Sequence, residues 1–146
     1  MKVKVRNPTP ADVKQVYEIE KLSFEHPFPS NVIFIQLFLH SDTSLVIEHE
    51  GKVIAYAIAA KEGKKLHLLN FAVHPSYRGM GLGKLLLDRI IKLAKMKNLK
   101  EVYLEVEHDN EIAKNLYRKM GFKEVKVIKG YYPWGKDAIV MVKRLE

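Results

Sequence analysis

The 146-residue chain contains no cysteine, which excludes disulfide bonds, a thiol nucleophile and cysteine metal sites. It also lacks an apolar run of membrane-spanning length, and its start, MKVKVR, does not resemble the apolar core of a signal peptide. No linker, repeat or low-complexity segment interrupts it. Its six histidines show no metal-ligand spacing, which favours surface or structural roles for them. These absences predict a single domain of residues 1–146, a cytoplasmic location, no metal and no membrane partner.

The chain has a net charge of +8, and acidic residues are scarce in one segment of it. Residues 78–100 hold seven basic side chains and one acidic side chain, Asp88, so the segment has a charge of +6. A nucleic-acid-binding patch is one interpretation, but a solvated lysine face on an amphipathic helix is the favoured one. Part of this charge could also attract a phosphate-rich cofactor. We therefore expect no nucleic-acid partner, and the oligomeric state is left open.

Apolar periodicity and turn residues predict an α/β fold with the element order β-α-α-β-β-β-α-β-α-β-β. About seven strands would form a mixed central sheet flanked by about four helices. The strands are expected at residues 3–7, 44–49, 53–60, 66–73, 101–107, 122–128 and 138–142. The helices are expected at residues 10–24, 31–40, 85–97 and 111–120, with caps at Thr9, at Ser30 and at Asp109 or Asn110. The fourth and fifth strands should be parallel and central, with a ligand beyond their carboxyl ends.

The most informative segment is Arg78-Gly79-Met80-Gly81-Leu82-Gly83, between the fourth strand and the third helix. Glycines allow a tight turn that brings backbone N–H groups close to a ligand, and a helix N-terminus attracts anions. The segment predicts a pyrophosphate cradle with Arg78 at its lip, although a simple packing turn would have the same pattern. Its spacing fits neither the G-x-x-x-x-G-K-[ST] phosphate loop nor the G-x-G-x-x-G dinucleotide fingerprint. It fits R-x-x-G-x-G, and the chain thereby resembles the GNAT acetyltransferases, which bind acetyl-coenzyme A (acetyl-CoA) at this turn.

The resemblance extends over roughly residues 66–142 and is closest to RimI-like and archaeal protein N-terminal acetyltransferases. The matching blocks are residues 70–78, Tyr103-Leu104-Glu105-Val106, Asn110 and Tyr117 at five and twelve residues after Glu105, Gly121-Phe122, and Gly130-Tyr131-Tyr132-Pro133. The resemblance implies the GNAT fold and acetyl-CoA as co-substrate. The residues that it implies for binding the co-substrate are Phe71, Ala72, Val73, Arg78, Gly79, Met80, Gly81, Leu82, Gly83, Lys84, Asn110 and Tyr117.

The fourth strand is implied to act through its backbone at residues 71–73. In the family this strand has a bulge and separates from the next strand, so that the pantetheine arm fits between them. A backbone N–H freed there can polarise the thioester carbonyl. Asn110 is also the simplest cap for the fourth helix, and both roles are compatible.

Two residues are implied to be catalytic. Glu105 projects from a central strand, where burial suits a carboxylate to accept a proton from an amine. An edge position or a nearby lysine partner is the alternative explanation for this carboxylate. Tyr117 lies on an apolar helix face, which alone indicates a core tyrosine. The resemblance instead implies that it protonates the departing thiolate of coenzyme A.

Substrate contacts are expected in two aromatic, proline-containing loops, residues 25–29 and 131–134. The resemblance implies Phe28, Asn70, Tyr131 and Tyr132 as substrate-binding residues, although ordinary loop packing explains Phe28 and Trp134 equally well. One position departs from the family pattern, because Glu107 stands where an arginine is common. Its negative charge would change the field that an incoming peptide or co-substrate meets.

The sequence therefore predicts an enzyme that transfers acetyl from acetyl-CoA to protein α-amino groups, with ribosomal proteins among the possible substrates. Direct transfer in a ternary complex is expected, since no cysteine can hold an acetyl group. One alternative is a GNAT enzyme for small-molecule amines or lysine side chains. Another is a non-catalytic module that binds RNA or the ribosome through residues 84–100.

Overall fold

The computed structural model describes residues 1–146, and its seven strands belong to one sheet. The strands are β1 Lys4–Arg6, β2 Leu45–His49, β3 Lys52–Glu62, β4 Lys65–Val73, β5 Glu101–Glu107, β6 Lys123–Ile128 and β7 Ala138–Arg144. The helices are α1 Val13–Ser23, α2 Ser30–Leu39, α3 Leu82–Met96 and α4 Glu111–Lys119. The predicted α/β class and element order are confirmed, and three short 3-10 turns are added to them. The strand order is β1-β2-β3-β4-β5-β7-β6, and only the pair β4–β5 is parallel.

Three helix starts differ from the prediction. A 3-10 turn, Pro10–Asp12, precedes α1, and Thr9 N–H donates to Asp12 Oδ2 at 2.8 Å. Helix α2 already begins at Ser30, so Ser30 is the first helical residue and not the cap. Helix α3 begins at Leu82, three residues before its apolar repeat, because Gly81 adopts a left-handed φ of 80° and starts the helix directly.

The parallel strands β4 and β5 pair over three positions and then separate. The pairs are Lys65 with Glu101, Leu66 with Val102 and His67 with Tyr103. Beyond them, residues 68 and 70–73 pair only with β3, Leu69 has no partner, and residues 104–107 pair only with β7. A gap bordered by unpaired backbone therefore opens toward the carboxyl ends of the two central strands. This is the separation that the family resemblance implied.

A β-bulge in β4 reverses which side chains face each side of the sheet. Leu68 lies opposite Ala59 and Asn70 lies opposite Ile58, so Leu69 is the inserted residue. Because side chains alternate along a strand, one extra residue exchanges the two faces from that point onward. Leu66 and Leu68 before the bulge, and Phe71 and Val73 after it, consequently pack against the same core.

Two hydrophobic cores lie on opposite faces of the sheet. The larger core holds the apolar side of α3 together with Tyr117 and its neighbours on α4, and we call this side the α3/α4 face. The smaller core packs Val16 and Ile19 of α1 and Ile33 and Leu37 of α2 against the sheet, and we call this side the α1/α2 face. None of the four helices has both the length and the apolar character needed to cross a bilayer.

Candidate active site

The glycine turn joins the end of β4 to the start of α3. Gly79 and Gly81 both have φ of 80°, a conformation in which an L side chain is strained. A Cβ atom at either position would meet nothing within 4 Å, so the space above the turn is open. Leu85 N–H makes a helical bond to Gly81 O at 3.0 Å, and the N–H groups of residues 82–84 precede it without intrahelical acceptors. The turn therefore presents a row of donors, at the positive end of a 15-residue helix, to open space.

Gly83 is where three elements meet. A Cβ atom there would lie 3.4 Å from Leu116 Cδ2, 3.5 Å from Phe71 Cζ and 3.8 Å from Val73 Cγ2. The start of α3, the end of β4 and the inner side of α4 are thus in contact around this glycine. Leu82 is buried in the same core. The first helical turn is consequently placed beside the gap between β4 and β5.

Other residues predicted to bind the co-substrate have different surroundings. The Arg78 guanidinium donates to Val73 O and to Ser23 Oγ, each at 2.9 Å, and so joins the end of β4 to the end of α1. Asn110 caps α4 by accepting a bond from Ala113 N–H at 3.2 Å. Met80 and Lys84 are exposed, whereas Ala72 is buried on the α1/α2 face.

Glu105 lies on the interior strand β5, with its side chain on the α1/α2 face. Its carboxylate oxygen Oε1 is 2.6 Å from His67 Nε2, and the two side chains are 15% and 14% exposed. The predicted alternation along β5 is confirmed, because Val102, Leu104 and Val106 belong to the core of the opposite face. The partner of the carboxylate is a histidine, so neither the edge position nor the lysine partner applies.

His67 is held between two carboxylates. Its Nδ1 atom is 2.8 Å from Glu62 Oε2, and the ring stacks on Tyr103 at 4.1 Å between centroids. Tyr103 in turn donates its hydroxyl to Glu62 Oε1 at 2.5 Å. Burial acts to lower the pKa of His67, but the hydrogen bonds and charges of Glu105 and Glu62 raise that pKa above its ordinary value. The ring is therefore well suited to hold a proton.

Tyr117 faces the other side of the gap. It is 7% exposed and packs between Phe71, at 6.2 Å, and Phe122, at 5.8 Å between ring centroids. Burial alone raises the pKa of Tyr117 well above its ordinary value, so the phenol stays protonated at neutral pH. The structure thus brings Tyr117, Phe71 and Gly83 together on the α3/α4 face, with Glu105 on the opposite face.

Asn70 is turned away from open space. It is 7% exposed, and its Nδ2 donates to Glu20 Oε1 at 2.6 Å. Glu20, on α1, is 2% exposed and also accepts bonds from the Tyr56 hydroxyl and, through Oε2, from Phe28 N–H at 3.0 Å. Of the predicted substrate residues, Phe28 and Asn70 are therefore joined through a buried carboxylate.

The two aromatic loops meet in a continuous stack, which we call the strap: His26, Trp134, Tyr132 and Tyr131. His26 stacks on Trp134 at 4.1 Å, Trp134 stacks on Tyr132 at 5.1 Å, and Tyr132 meets Tyr131 edge-on at 5.0 Å. Burial, together with the charge and hydrogen bonding of Glu105, raises the pKa of Tyr131. Tyr131 therefore lies close to Glu105, and the strap extends from there to the loop after α1.

Comparisons with known proteins show the family and the fold of this chain. The family model described as the acetyltransferase (GNAT) family matches residues 13–122, most of the chain. The chain belongs to the GNAT acetyltransferase family. It is 36% identical to an N-alpha-acetyltransferase of Sulfurisphaera tokodaii, over 97% of this chain and 93% of the relative. It is 34% identical to a putative ribosomal protein bS18-alanine N-acetyltransferase of Bacillus subtilis, over 96% and 94%. Among solved structures, Ard1 from Thermoplasma volcanium superimposes with a TM-score of 0.95 and 26% identity, over 100% of this chain and 99% of that one.

In this GNAT chain the unusual Glu107 has a partner of its own. Lys136 Nζ lies 3.2 Å from Glu107 and 2.9 Å from Asp109. Lys136 follows the two-tyrosine loop, so these pairs attach that loop to the end of β5. Lys136 therefore partly offsets the negative charges of Glu107 and Asp109, and the loop gains a second anchor beside the strap.

Sequence reasoning missed two residues that contact predicted site residues: His67, which contacts Glu105, and Glu20, which contacts Asn70. Strand alternation places the side chain of His67 on the other face of β4 from Leu66 and Leu68. Only the register of β4 with β5 brings it to Glu105. Glu20 follows Val16 by one helical turn on the buried side of α1, which is an available signal for a buried carboxylate. Its partners are distant in the sequence, with Asn70 50 residues away.

Proposed function

We propose that this protein transfers the acetyl group of acetyl-CoA to the α-amino group of protein N-termini, by direct transfer in a ternary complex. The observation that carries the proposal is the Glu105–His67 pair, 2.6 Å apart, beside the gap between β4 and β5. A base at this point can reach an amine arriving from the α1/α2 face. The thioester would come from the α3/α4 face, so the two substrates meet in the gap.

The residues around the glycine turn fit coenzyme A. Open space above Gly79 and Gly81 and free N–H groups at the start of α3 suit its pyrophosphate. The unpaired edge of residues 68–73 suits the pantetheine arm, which can bond to strand backbone like an extra strand. Acetyl-CoA, when bound, supplies the activated acyl group. An N–H of this strand edge would polarise the thioester carbonyl.

The proton of the amine is the main chemical obstacle. An α-amino group has a pKa near 8 and is largely protonated at pH 7, so it must lose a proton before it can attack. We assign the role of base to Glu105, which would take this proton directly or through water. Its contact with His67 Nε2 allows the pair to hold the proton as an imidazolium between two carboxylates. The raised pKa of His67 brings its proton affinity closer to that of the amine.

Bond exchange then involves Tyr117. The amine nitrogen forms a bond to the acetyl carbon, the carbon–sulfur bond breaks, and the sulfur leaves as a thiolate. Because burial raises the pKa of Tyr117 far above that of an ordinary thiol, its hydroxyl can stabilise the thiolate by donating a hydrogen bond. Complete proton transfer from this phenol would be uphill, so we narrow the role that the resemblance implied for Tyr117, protonation of the thiolate, to hydrogen-bond donation. The final proton on sulfur would then come from solvent.

Protein N-termini are the favoured acceptors for two reasons. The two relatives described above are named for acetylating an α-amino group and the alanine of ribosomal protein bS18. The strap and Phe28 provide exposed aromatic surface along the approach to Glu105, which suits the first side chains of an extended peptide. We also propose a cytoplasmic location, where acetyl-CoA and newly made N-termini occur together.

The test compares two peptide sets in the presence of acetyl-CoA. One set has a free α-amino group and no lysine, and the other has a formylated N-terminus and one internal lysine. We expect acetylation of the first set only, located by mass spectrometry, and near-complete loss of activity in Glu105→Gln. Acetyl groups found only on lysine would contradict the N-terminal assignment. Undiminished turnover in Glu105→Gln would contradict the assignment of the base.

A further inference from the structure

Glu20 is a buried carboxylate without a cationic partner. It is 2% exposed, and its three hydrogen-bond donors, Tyr56, Asn70 and Phe28 N–H, are all uncharged. Burying an ionised group costs free energy even when neutral donors surround it. A stable core alone would be served by an apolar residue here, so the carboxylate is a candidate for a functional role.

The two oxygens of this carboxylate serve different parts of the protein. Oε1 accepts from Tyr56 of β3 and from Asn70 of β4, and Asn70 directly follows the bulge residue Leu69. Oε2 accepts only from Phe28 N–H, in the loop between α1 and α2. Glu20 therefore connects the surface loop between α1 and α2 to β4, a strand that borders the gap. Surface loops are generally more mobile than strands.

The loop held by Glu20 is also one end of the strap. His26, two residues before Phe28, stacks on Trp134 from the opposite loop. Phe28 itself is 41% exposed. The loop is thus fixed from inside by one charged hydrogen bond and from outside by one aromatic contact. Loss of the inner anchor would leave the exposed Phe28 free to move relative to Glu105.

We propose that Glu20 is a positioning residue for the acceptor peptide, which it serves by fixing the loop that holds Phe28 relative to the β4 bulge. This inference rests on the function proposed above. It assigns no contact between Glu20 and the substrate, because the carboxylate is enclosed by its three donors. Glu20 acts by fixing the position of Phe28 relative to Glu105, where the acceptor peptide is proposed to bind.

The test is Glu20→Gln, which keeps the size of the side chain but offers one acceptor oxygen in place of two. An amide cannot serve donors on both sides, because its NH₂ group would face a donor at one end. We expect the KM for an N-terminal peptide to rise at least about tenfold, which corresponds to about 1.4 kcal/mol. The KM for acetyl-CoA should stay within about twofold, and kcat within about threefold.

Asp12→Asn is the matched control. Asp12 is a second buried carboxylate, at the opposite end of the same helical segment, where it receives bonds from Arg6 and Thr9. Its loss should also destabilise the region of α1 but should leave the peptide KM within about threefold. An equal rise of the peptide KM in both variants would reduce Glu20 to a general structural role and overturn the proposal.

A second readout needs neither the variant nor the reaction. In the unaltered protein, hydrogen exchange of the Phe28 amide, followed by NMR, should be at least about tenfold slower than that of Glu25 and His26 in the same loop. Equally fast exchange would overturn the inference even if the enzyme acetylates N-termini. If the protein acetylates no peptide but the Phe28 amide is protected, the function proposed above is wrong, whereas the anchoring of Phe28 by Glu20 is still supported.

Discussion

Glu105 and His67 should act as one unit, so the fold-decreases in kcat caused by substituting each residue should not multiply in the double variant. The informative variants are Glu105→Gln, His67→Phe and the double substitution. Phenylalanine removes both ring nitrogens at position 67 but keeps a ring to stack on Tyr103 at about the same place. Glutamine keeps the shape of Glu105 and removes its ability to accept the proton of the amine.

The size of the effect follows from where the proton is held. Transfer from an amine of pKa near 8 to an ordinary carboxylate of pKa about 4.3 is uphill by about 5 kcal/mol, and to an ordinary imidazole by about 2 kcal/mol. The difference of about 3 kcal/mol corresponds to roughly 100-fold in rate. We therefore expect His67→Phe to lower kcat about 100-fold, because the proton must remain on Glu105. Glu105→Gln should cost a similar factor, since it removes the group through which His67 receives the proton.

The assay is steady-state acetylation of one peptide at saturating acetyl-CoA. Two residues that act in series give a double variant close to the worse single variant, about 100- to 1,000-fold below the unaltered enzyme. Independent contributions would multiply to about 10,000-fold. A multiplicative loss would refute the idea that His67 acts through Glu105. Acetyl-CoA affinity, measured by calorimetry, should be unchanged in all three variants, because neither residue lies at the glycine turn.

Three further outcomes follow from the same structure. Gly81→Ala should cost about 1–2 kcal/mol of stability and weaken acetyl-CoA binding about tenfold, because φ is 80° there; Gly63→Ala, with φ of 62° in a distant turn, should show similar strain by thermal melting and unchanged binding by calorimetry. Tyr117→Phe should lower kcat about tenfold with little change in either KM or in the melting temperature, since no hydrogen bond contributes to the raised pKa of Tyr117. The raised pKa of His67 adds stability that is complete below pH 6.5 and is lost as pH rises through that pKa, whereas activity rises over the same range. The lowered pKa of Glu62 adds stability above about pH 4.3, and this stability is lost on acidification. The melting temperature should therefore gain most from Glu62 and His67 between about pH 4.3 and about pH 6.5.

Elements set by local sequence were predictable. The alternation Val102, Leu104, Val106 identified the buried face of β5 and put Glu105 on the other face. The glycines at 79 and 81 were predicted to form a tight turn before a helix, and both adopt left-handed φ values. In each case the signal and the structure depend on residues within one turn or one strand of each other, so no tertiary contact was needed.

The site depends on contacts that no local pattern contains. His67 and Glu105 are 38 residues apart, and they meet only because β4 and β5 pair with one particular register. The buried role of Asn70 was missed for a related reason, since its direction depends on the bulge at Leu69. A strand pattern reports two alternating faces, but it does not report where an inserted residue exchanges them.

The bulge is the feature that would let one strand, β4, contribute to the binding of both proposed substrates. If Leu69 were an ordinary paired residue of β4 and the side chains alternated regularly through it, Phe71 would face α1 and Asn70 would face α4. Tyr117 and Gly83 would then lose their contact with Phe71, and Glu20 would lose a donor. With the bulge, the residues before it keep His67 on the same face as Glu105, and the residues after it point Phe71 toward the glycine turn. The bulge thus turns Phe71 to the face of the expected thiol-binding surface, while His67 before it stays on the face of Glu105, beside the gap where the two substrates are proposed to meet.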